Sequence, residues 1–474
     1  MKKEKEKLTV YIPISFPNID MLVTGTKLKP DKIRILLHQM YLSRLGQAGY
    51  DDNTRVHRYN HIFNDGYVSL RSKLLNRLLA RDYKNYISFL KECKLISVRE
   101  SYSSKEAYTP TETSKHYKIN NKLLHKTDSK RHFRKETVTN YCTVKATLAV
   151  RDSYELIHKD KGLREIPMEP IHQHLLKMEQ TIRFDIPTAE EWIKQVLEGV
   201  IVTDNITPDD LEHSGMELEL ANSINEGILF NSKVDQFGER LYTPLKRVAK
   251  YMRQFMYFEN SLETELACLD ISNSQLYFST LLVNKDIIET IIPEFLPITK
   301  IAEKYGNQPD FKRYIEACIN GTIYDEWIRI ANHTDRNAAK KELIQILFCK
   351  NNAKMPSIKI FRDHFPSVAK FFREVKDLKE DTLPFITKTY LDKKGSFKPD
   401  SYHCNLSCAT QRLESRIFIK HIGQALLDNG VKPFFTIHDS VYFPKYLTEK
   451  VEQIITDEFH LLGVAYPKLK PSNP

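Results

Sequence analysis

The spacing of apolar residues changes along the chain and predicts different elements in its two halves. Residues 8–14 alternate apolar and polar side chains, which is the period of a strand with one buried face. From Asp31 to Tyr41 the apolar positions recur every three or four residues, which predicts a helix. Residues 139–232 also favour helices. From residue 240 onward, short apolar runs alternate with long helical patterns, which is typical of an α+β fold.

Residues 69–119 predict two helices followed by two strands. Ser69 is placed to cap a helix with leucines on one face, and Asp82 is placed to cap a second helix. Two strand-like runs, 95–98 and 116–119, come next with a polar loop between them. Helix, turn, helix and a two-stranded wing is the order of a winged helix-turn-helix.

Basic side chains crowd the second of these strands and the segment after it. They are Lys115, Lys118, Lys122, Lys126, Lys130, Arg131, Arg134 and Lys135. Clustered cations neutralise phosphates and release counterions, so Lys115 and Lys118 in the wing are candidate nucleic-acid contacts. Two plainer interpretations stay open: the helices form a packing module, and the basic run is a solvated linker.

Composition narrows the class of protein modestly. The chain has 474 residues, enough for about three domains, and 71 Lys and Arg against 61 Asp and Glu give a net charge of +10 that favours an anionic partner. No apolar run approaches the roughly 20 residues that span a bilayer, and residues 1–7 lack the apolar core of a secretory signal. Seven scattered cysteines indicate reduced thiols. We therefore expect a cytoplasmic protein without membrane contact.

Two aspartates stand at the ends of apolar runs in the second half. Asp270 ends the run 266–270, and Asp439 follows the run 434–438. If the two strands are neighbours, these carboxylates can bind two divalent ions about 3.5–4 Å apart, as an in-line phosphoryl displacement requires. Oxygen ligands favour Mg²⁺. Taken singly, each aspartate is better explained as an ordinary exposed acid, and a metal-dependent hydrolase could also use residues 438–439.

A helix with a basic first half is predicted between the two aspartates, with Asp335 near its start. One ridge of this helix carries Arg336, Lys340, Ile344 and Phe348, spaced four residues apart. Two cations at this spacing can hold a triphosphate, and an aromatic ring beyond them can stack on a base. In isolation, an amphipathic helix with a solvated basic end explains the pattern better.

These segments resemble the motifs of family A, or DNA polymerase I-like, nucleic-acid polymerases. Residues 270–276, Asp-Ile-Ser-Asn-Ser-Gln-Leu, resemble motif A, residues 336–348 resemble motif B, and residues 437–440 resemble motif C. Residues 411–415 resemble the helix beside the template–primer minor groove, and residues 238–241 resemble the Gly-Arg-Leu segment that precedes motif A. The variant forms are similar to compact polymerases of bacterial mobile elements and phages. The resemblance covers about half of the chain.

The resemblance implies a right-hand fold of the α+β class. Residues 1–135 would form a small winged-helix-like domain that binds nucleic acid. Residues 136–233 would form a helical thumb or connector. Residues 234–474 would form a palm with an antiparallel sheet and helical fingers. Residues 381–400 are predicted to be a loop insertion, to which the resemblance assigns no role.

The same resemblance implies a role for each matched position. Asp270, Asp439 and the carbonyl of Ile271 would bind two Mg²⁺ ions, for which Mn²⁺ could substitute. Arg336 and Lys340 would neutralise the incoming triphosphate, and Lys340 would protonate the leaving pyrophosphate.

The other matched positions would contact the nucleotide and the template–primer duplex. They are Gln275 at the sugar gate, Ile344 and Phe348 on the ridge that ends against the templating base, His438 at the primer end, Gln411 in the minor groove and Arg240 at a backbone phosphate. Plainer roles stay open for the last three: packing beside a strand turn, a surface helix residue and a structural salt bridge.

Three positions depart from the family pattern and leave the sugar of the product open. Gln275 stands where the family has Glu, Phe348 where it has Tyr, and Ser440 where the DNA polymerases usually have Glu. The first two groups help to exclude the ribose 2′-hydroxyl in the family. Phage-type RNA polymerases also carry His-Asp-Ser, whereas the spacing in motif A is that of the DNA enzymes.

We therefore expect a DNA polymerase that extends a primer without a proofreading exonuclease, in the cytoplasm of a bacterium or from a phage or mobile element. Its partners would be template, primer and nucleoside triphosphates, with replication proteins as further candidates. The alternatives are a single-subunit RNA polymerase or primase, an inactive winged-helix replication factor and a two-metal nuclease.

Overall fold

The fold is given by a computed structural model. It describes residues 8–13, 15–45, 67–70, 72–79, 82–99, 116–123, 133–138, 167–203, 206, 211, 214–227, 232–235, 237–259, 261, 265–378 and 403–472. Lys115 and the predicted insertion at 381–400 lie outside these residues. The chain divides into two compact units, which are considered separately. The N-terminal unit is 1–160, 186–230 and 247–249, and the C-terminal unit is 161–185, 231–246 and 250–474.

The N-terminal unit contains six of the described helices and five of the strands. Its strands are β1 (Leu8–Pro13), β2 (Val68–Ser69), β3 (Ile96–Arg99), β4 (His116–Ile119) and β5 (Phe133–Val138). Its helices are α1 (Ile19–Leu22), α2 (Pro30–Leu45), α3 (Ser72–Leu79), α4 (Tyr83–Glu92), α6 (Ile186–Leu197) and α7 (Ser214–Asn225), labelled in chain order through both units. A 3₁₀ turn covers Asn121–Leu123.

A three-stranded antiparallel sheet organises the middle of this unit. The strand order is β2-β4-β3, so the chain runs helix α2, strand β2, helices α3 and α4, then the pair β3 and β4. The predicted helices and strand pair are therefore present. Ser69 is the exception, because it lies in β2 and α3 begins at Ser72. The strands β1 and β5 form a separate antiparallel pair.

A buried lysine ties the first helix of this group to the turn between the next two. The Lys32 amino group is almost fully buried, donates to the Leu79 carbonyl at 2.5 Å and pairs with Asp82 at 2.7 Å. Asp82 precedes α4 as predicted, but its carboxylate makes no capping hydrogen bond to that helix. The Asp82 side chain, which the sequence assigns to the cap of α4, is therefore used in the ion pair with Lys32.

The C-terminal unit is built around a four-stranded antiparallel sheet of order β11-β12-β10-β13. The strands of the unit are β6 (Ile182–Phe184), β7 (Lys233–Val234), β8 (Leu241–Tyr242), β9 (Met256–Phe258), β10 (Leu266–Ile271), β11 (Phe435–Ile437), β12 (Ser440–Pro444) and β13 (Leu469–Ser472). β6 pairs with β9, and β7 pairs with β8. β10 is an inner strand, which explains its nearly continuous apolar sequence.

Helices form most of the rest of this unit. They are α5 (Pro170–Glu179), α8 (Ser274–Leu281), α9 (Lys285–Ile291), α10 (Pro297–Tyr305), α11 (Pro309–Ile319), α12 (Ile323–Ala331), α13 (Arg336–Phe348), α14 (Pro356–His364), α15 (Pro366–Lys376), α16 (Cys404–Ser415), α17 (Gly423–Asp428) and α18 (Thr448–Leu461). A π-helical turn, Arg416–Ile422, joins α16 to α17. Short 3₁₀ turns cover Pro244–Arg247, Lys250–Phe255, Pro293–Phe295 and Lys445–Leu447.

Aromatic side chains hold the helical part of this unit together. Tyr314 on α11 meets Phe361, Phe365 and Phe372 edge to face, with ring centroids 5.6–6.2 Å apart. Such contacts add directional attraction to apolar burial. Trp327 on α12 packs beside Phe361 and donates to a glutamate on α13, so the aromatic core also anchors that helix. No helix in the described part of the chain is long and apolar enough to cross a bilayer.

The stability of the N-terminal unit is expected to fall in mild acid because of His38. Burial lowers the pKa of His38 from its usual 6.5 to about 4, and its Nδ1 accepts a hydrogen bond from the Tyr11 amide at 3.3 Å. Since the folded state holds the neutral ring, the stabilisation is present above pH 6.5 and is lost as pH falls towards 4, by about 3 kcal/mol. Hydrogen exchange of the α2 amides at pH 7.0 and 4.5 measures this loss. His38→Gln, which keeps an acceptor but does not titrate, should reduce it; an equal loss in both proteins would refute the assignment.

Candidate active site

The sheet brings the two predicted aspartates to the same edge. β10 pairs with β12 so that Asp270 lies opposite Ser440, the residue after Asp439. The Ile271 amide donates to the Asp439 carbonyl at 3.4 Å. The two predicted strands are not themselves neighbours, because β12 lies between β10 and β11. Asp439 still lies beside the end of β10, because the turn that carries it leads directly into β12.

A tight turn presents the second aspartate. Ile437 of β11 pairs with Ser440 of β12, so His438 and Asp439 alone connect the two strands. His438 has a φ of +58°, a left-handed conformation that two-residue hairpin turns commonly require. Neighbouring aromatic pairing supports the turn, because Phe435 and Tyr442 stack across it with centroids 4.8 Å apart.

The electrostatics of the two carboxylates fit a cation site. The Ser440 hydroxyl donates to Asp270 at 2.6 Å, which orients that carboxylate. Burial, together with the negative charges of Asp270 and Glu414, raises the pKa of Asp439 to about 8. Like charges that interact at a buried position favour binding of a proton or a metal ion. Hard oxygen donors of this kind suit Mg²⁺.

The side-chain ligand set is small. In the part of the chain that the structure covers, no cluster of three or more His, Cys, Asp or Glu side chains could hold a metal ion. The candidate set is thus Asp270, Asp439 and main-chain oxygen from Ile271, which ends β10 directly after Asp270. Water and substrate oxygens would have to complete the coordination, which is how Mg²⁺ is usually bound at phosphate sites.

His438 is held as a neutral ring beside the turn. Its imidazole meets Tyr242 edge to face at 5.9 Å, and its Nδ1 is buried without a hydrogen-bond partner. Burial lowers the pKa of His438 well below its usual value, and Lys246, Arg240 and Arg253 lower it further. A neutral imidazole with a buried unsatisfied nitrogen can hydrogen-bond a ligand without adding charge.

A third carboxylate, which the sequence left without a role, lies within electrostatic range of Asp439. Glu414 on α16 is 1% exposed and lies close enough to Asp439 to raise its pKa. Its Oε1 accepts from the Arg240 Nε at 2.9 Å and pairs with Nη2 at 2.7 Å. Its Oε2 accepts from the Ser274 hydroxyl at 3.0 Å and from the Gln275 amide. Only the long-range fold brings these residues together, so no local pattern could reveal the cluster.

Arg240 and Gln411 take positions that differ from simple surface contacts. Arg240 forms the ion pair with Glu414, the structural salt bridge that the sequence left open. Gln411 is half-buried on α16 and packs against Gly238, where an added Cβ would lie 2.9 Å from the Gln411 Cβ. Real Cβ atoms do not approach this closely, so the loop before β8 requires glycine to reach the helix.

The predicted basic helix forms as α13. The Asp335 carboxylate caps it by accepting from the Ala338 amide at 2.8 Å. Arg336 pairs with Asp325 at 2.5 Å and donates to the Gly321 carbonyl at 3.2 Å. Lys340 is exposed one turn further along. The ridge continues with Ile344 and Phe348, which are both half-buried, and Phe348 packs against the main core.

A buried tyrosine connects this helix electrostatically to the aspartates. Tyr324 on α12 is 4% exposed, and the Arg336 guanidinium lies over its ring at 5.3 Å. Burial raises the pKa of Tyr324 well above its usual value, Asp439 and Asp270 raise it further, and Arg336 opposes them. The phenol is thus within electrostatic range of both the cation and the carboxylates. No sequence motif contains this tyrosine, so the sequence alone gives no signal for it.

Of the two wing lysines, the structure describes only Lys118. It is half-buried on β4, and its amino group lies 5.6 Å from the centroid of the Tyr67 ring. This cation–π contact involves no hydrogen-bond acceptor, so the Lys118 amino group can still bind an anionic partner.

Comparison with known proteins gives a coarse likeness in fold. No family model matches the chain, and no curated protein matches it. Among solved structures, the chain is similar to the POL domain of Pol1 from M. smegmatis in complex with DNA primer-template and dNTP. The TM-score is 0.31 at 12% identity, and the match covers 69% of this chain and 71% of that chain. A likeness of this size assigns no role to any residue.

Removing the charge of Asp439 is expected to stabilise the metal-free protein. Because the folded pKa of about 8 exceeds the usual 3.8, the stabilisation present below pH 3.8 is lost as pH rises through 8. Asp439→Asn should therefore exceed the parent in unfolding free energy by about 1–2 kcal/mol at pH 8.5 with chelator, and by less at pH 4. Urea unfolding measures the gap. Millimolar Mg²⁺ should narrow it at pH 8.5; a gap that is the same at both pH values would contradict the like-charge interpretation.

Proposed function

We propose that this protein is a template-directed DNA polymerase that adds nucleotides to a primer 3′ end by two-metal phosphoryl transfer. The observation that carries the proposal is the juxtaposition of Asp270 and Asp439 at one edge of the β10–β12 pair. Two Mg²⁺ ions held by these carboxylates and the Ile271 carbonyl would lower the pKa of the primer hydroxyl and stabilise the leaving pyrophosphate. A proofreading exonuclease is not part of the proposal.

The chain's own residues would bind and orient the substrates. Arg336 and Lys340, one helical turn apart on α13, would hold the triphosphate, and Lys340 would supply a proton to the pyrophosphate. Further along this ridge, Ile344 and Phe348 would pack against the templating base. The common helix fixes the spacing between triphosphate and base, which supports in-line geometry.

Further residues would contact sugar and duplex. Gln275 would lie against the nucleotide sugar, and the neutral His438 would hydrogen-bond the primer end. Gln411 would accept or donate in the minor groove, where every base pair offers an acceptor. Arg240 would contact a backbone phosphate of the duplex. Because it is already paired with Glu414, it would do so as part of an ion pair rather than as an isolated cation.

The proposed domain roles follow the right-hand arrangement. The β11-β12-β10-β13 sheet would be the palm, and helices α10 to α15 the fingers. Residues 136–233 would serve as thumb or connector, although 136–160 and 186–230 cluster with the N-terminal unit. Residues 234–474 would hold the catalytic centre, and 1–135 would bind nucleic acid.

Primer extension tests the proposed activity. The parent should extend a labelled primer on a DNA template with Mg²⁺ and dNTPs. Asp439→Ala should reduce the rate about 10²–10³-fold or more, since charge stabilisation at the reacting phosphate is lost. Asp457→Ala, which removes an exposed acid on α18, is the matched control and should extend normally.

The other outcomes separate the alternatives. Extension only with rNTPs would favour an RNA polymerase or primase. Degradation of the primer without incorporation would favour a two-metal nuclease. If the parent binds DNA but neither extends nor degrades it, the polymerase proposal fails and a binding factor is favoured.

We also propose that the N-terminal unit binds duplex DNA as a winged-helix module. The order helix, strand, two helices and two strands, with β4 in the middle of the sheet, supports this assignment. Lys118 in the wing would contact a phosphate, and Lys115, outside the described residues, would do the same.

A phosphate contact predicts a change in salt dependence. Lys118→Ala should weaken binding to duplex DNA whatever its sequence and reduce the slope of log affinity against log salt by about 1. Fluorescence anisotropy from 50 to 200 mM salt measures this slope. Lys300→Ala, an exposed lysine on α10, is the control. Equal slopes for parent and Lys118→Ala would rule out the contact.

A further inference from the structure

Glu414 is a buried charge whose surroundings are fully specified. A carboxylate that is 1% exposed is costly unless it is paired and hydrogen-bonded. Its two oxygens have different partners: one faces the Arg240 guanidinium, and the other faces Ser274 and Gln275. Ser274 and Gln275 begin α8, directly after the segment that carries Asp270. The carboxylate therefore joins a cation to the start of this helix.

The arginine that anchors this carboxylate is itself held in place. The Asp235 carboxylate accepts from the amides of Phe237, Gly238 and Arg240 at 2.8–3.0 Å, which closes the loop around a single side chain. Glu239, in the left-handed region at a φ of +55°, pairs with Arg416 at 2.6 Å. Neither contact involves Glu414, so the loop that carries Arg240 is held by groups other than its ion-pair partner.

The cluster explains why an amide stands at position 275. A carboxylate at Glu414 can only accept, so the nitrogen of the Gln275 side chain must face it. A glutamate at position 275 would place a second negative charge against the first. The Gln275 carbonyl oxygen is buried and has no hydrogen-bond partner. The side chain is therefore held from one end, by Glu414.

We propose that Glu414, anchored by Arg240, is a positioning residue that fixes the Gln275 side chain and thereby sets the choice between deoxyribose and ribose in the incoming nucleotide. The proposal rests on the polymerase function proposed above. A side chain fixed at one end is a rigid wall against a 2′-hydroxyl. Without Glu414, the Gln275 side chain can rotate so that its unpaired oxygen meets water, and it then no longer excludes the 2′-hydroxyl.

The test compares kcat/KM for single dNTP and rNTP incorporation. In Glu414→Gln only one acceptor oxygen is left, which cannot face Arg240 and Gln275 at once; with the oxygen towards Arg240, the new NH2 group meets the Gln275 NH2 group. The dNTP-to-rNTP ratio should therefore fall roughly tenfold or more, as for loss of a hydrogen bond to a charged group. Glu414→Asp keeps the charge for Arg240 but withdraws from Gln275. It guards against a folding failure and should shift the ratio in the same direction.

A swap of the two side chains provides a rescue. Gln275→Glu alone sets two carboxylates against each other and should reduce incorporation of both nucleotides. Combined with Glu414→Gln, it restores an amide–carboxylate pair in the reverse direction. The double variant should recover at least tenfold of the lost incorporation relative to Gln275→Glu. A double variant no better than Gln275→Glu would overturn the inference.

A matched control separates positioning from general stability. Glu294→Gln removes a carboxylate that pairs with Arg412 and Arg416 on the same helical segment but touches neither Ser274 nor Gln275. It should lower the unfolding temperature and leave the sugar ratio within twofold of the parent. A ratio that is unchanged in both Glu414 variants, or shifted as much by Glu294→Gln, would overturn the inference alone. A parent that incorporates neither nucleotide would overturn the polymerase function and this inference together.

Discussion

The register between β10 and β12 is the constraint on which the candidate site depends. Successive side chains on a strand point to opposite faces, so a slip of one residue would turn Asp270 away from Asp439. β10 is paired on both sides, with β12 through Asp270 and Ser440 and with β13 through Asp270 and Lys470. The hydrogen bond from the Ser440 hydroxyl to Asp270 and the raised pKa of Asp439 both follow from this register.

A network of ion pairs then fixes the loop before β8 against α16 and the π-helical turn that follows it. Arg416 donates to both Glu239 and Glu294, and Arg412 pairs with Glu294 at 3.1 Å. Partly buried networks of this kind contribute less to stability than their contacts suggest, since desolvation offsets the attraction, but losing one partner costs about 3–5 kcal/mol. They suit a site that must hold one geometry.

Local pattern was sufficient where an element's own residues decide its conformation. The strand before Asp270 and the helix from Arg336 to Phe348 both appear where the sequence predicts them. The prediction that Ser69 caps a helix is wrong, because the pairing of β2 with β4 decides the conformation of Ser69. Its partner in this pairing, His116, is 47 residues away in sequence. Propensity is a weak prior against such contacts.

The side-chain chemistry of the site was less predictable for the same reason. Glu414 meets Arg240 across 174 residues and Gln275 across 139. Tyr324 belongs to no motif and becomes visible only through its position over Arg336. Sequence motifs identify candidate ligands, whereas the groups that orient them are found only after the chain has folded.

The contact between Arg336 and Asp325 has a consequence for any anion that approaches α13. The guanidinium already has a negative partner, so an incoming phosphate enters by exchange, and the observed affinity is the difference between two attractions. A weakly charged anion gains little from that exchange, whereas a polyphosphate gains more.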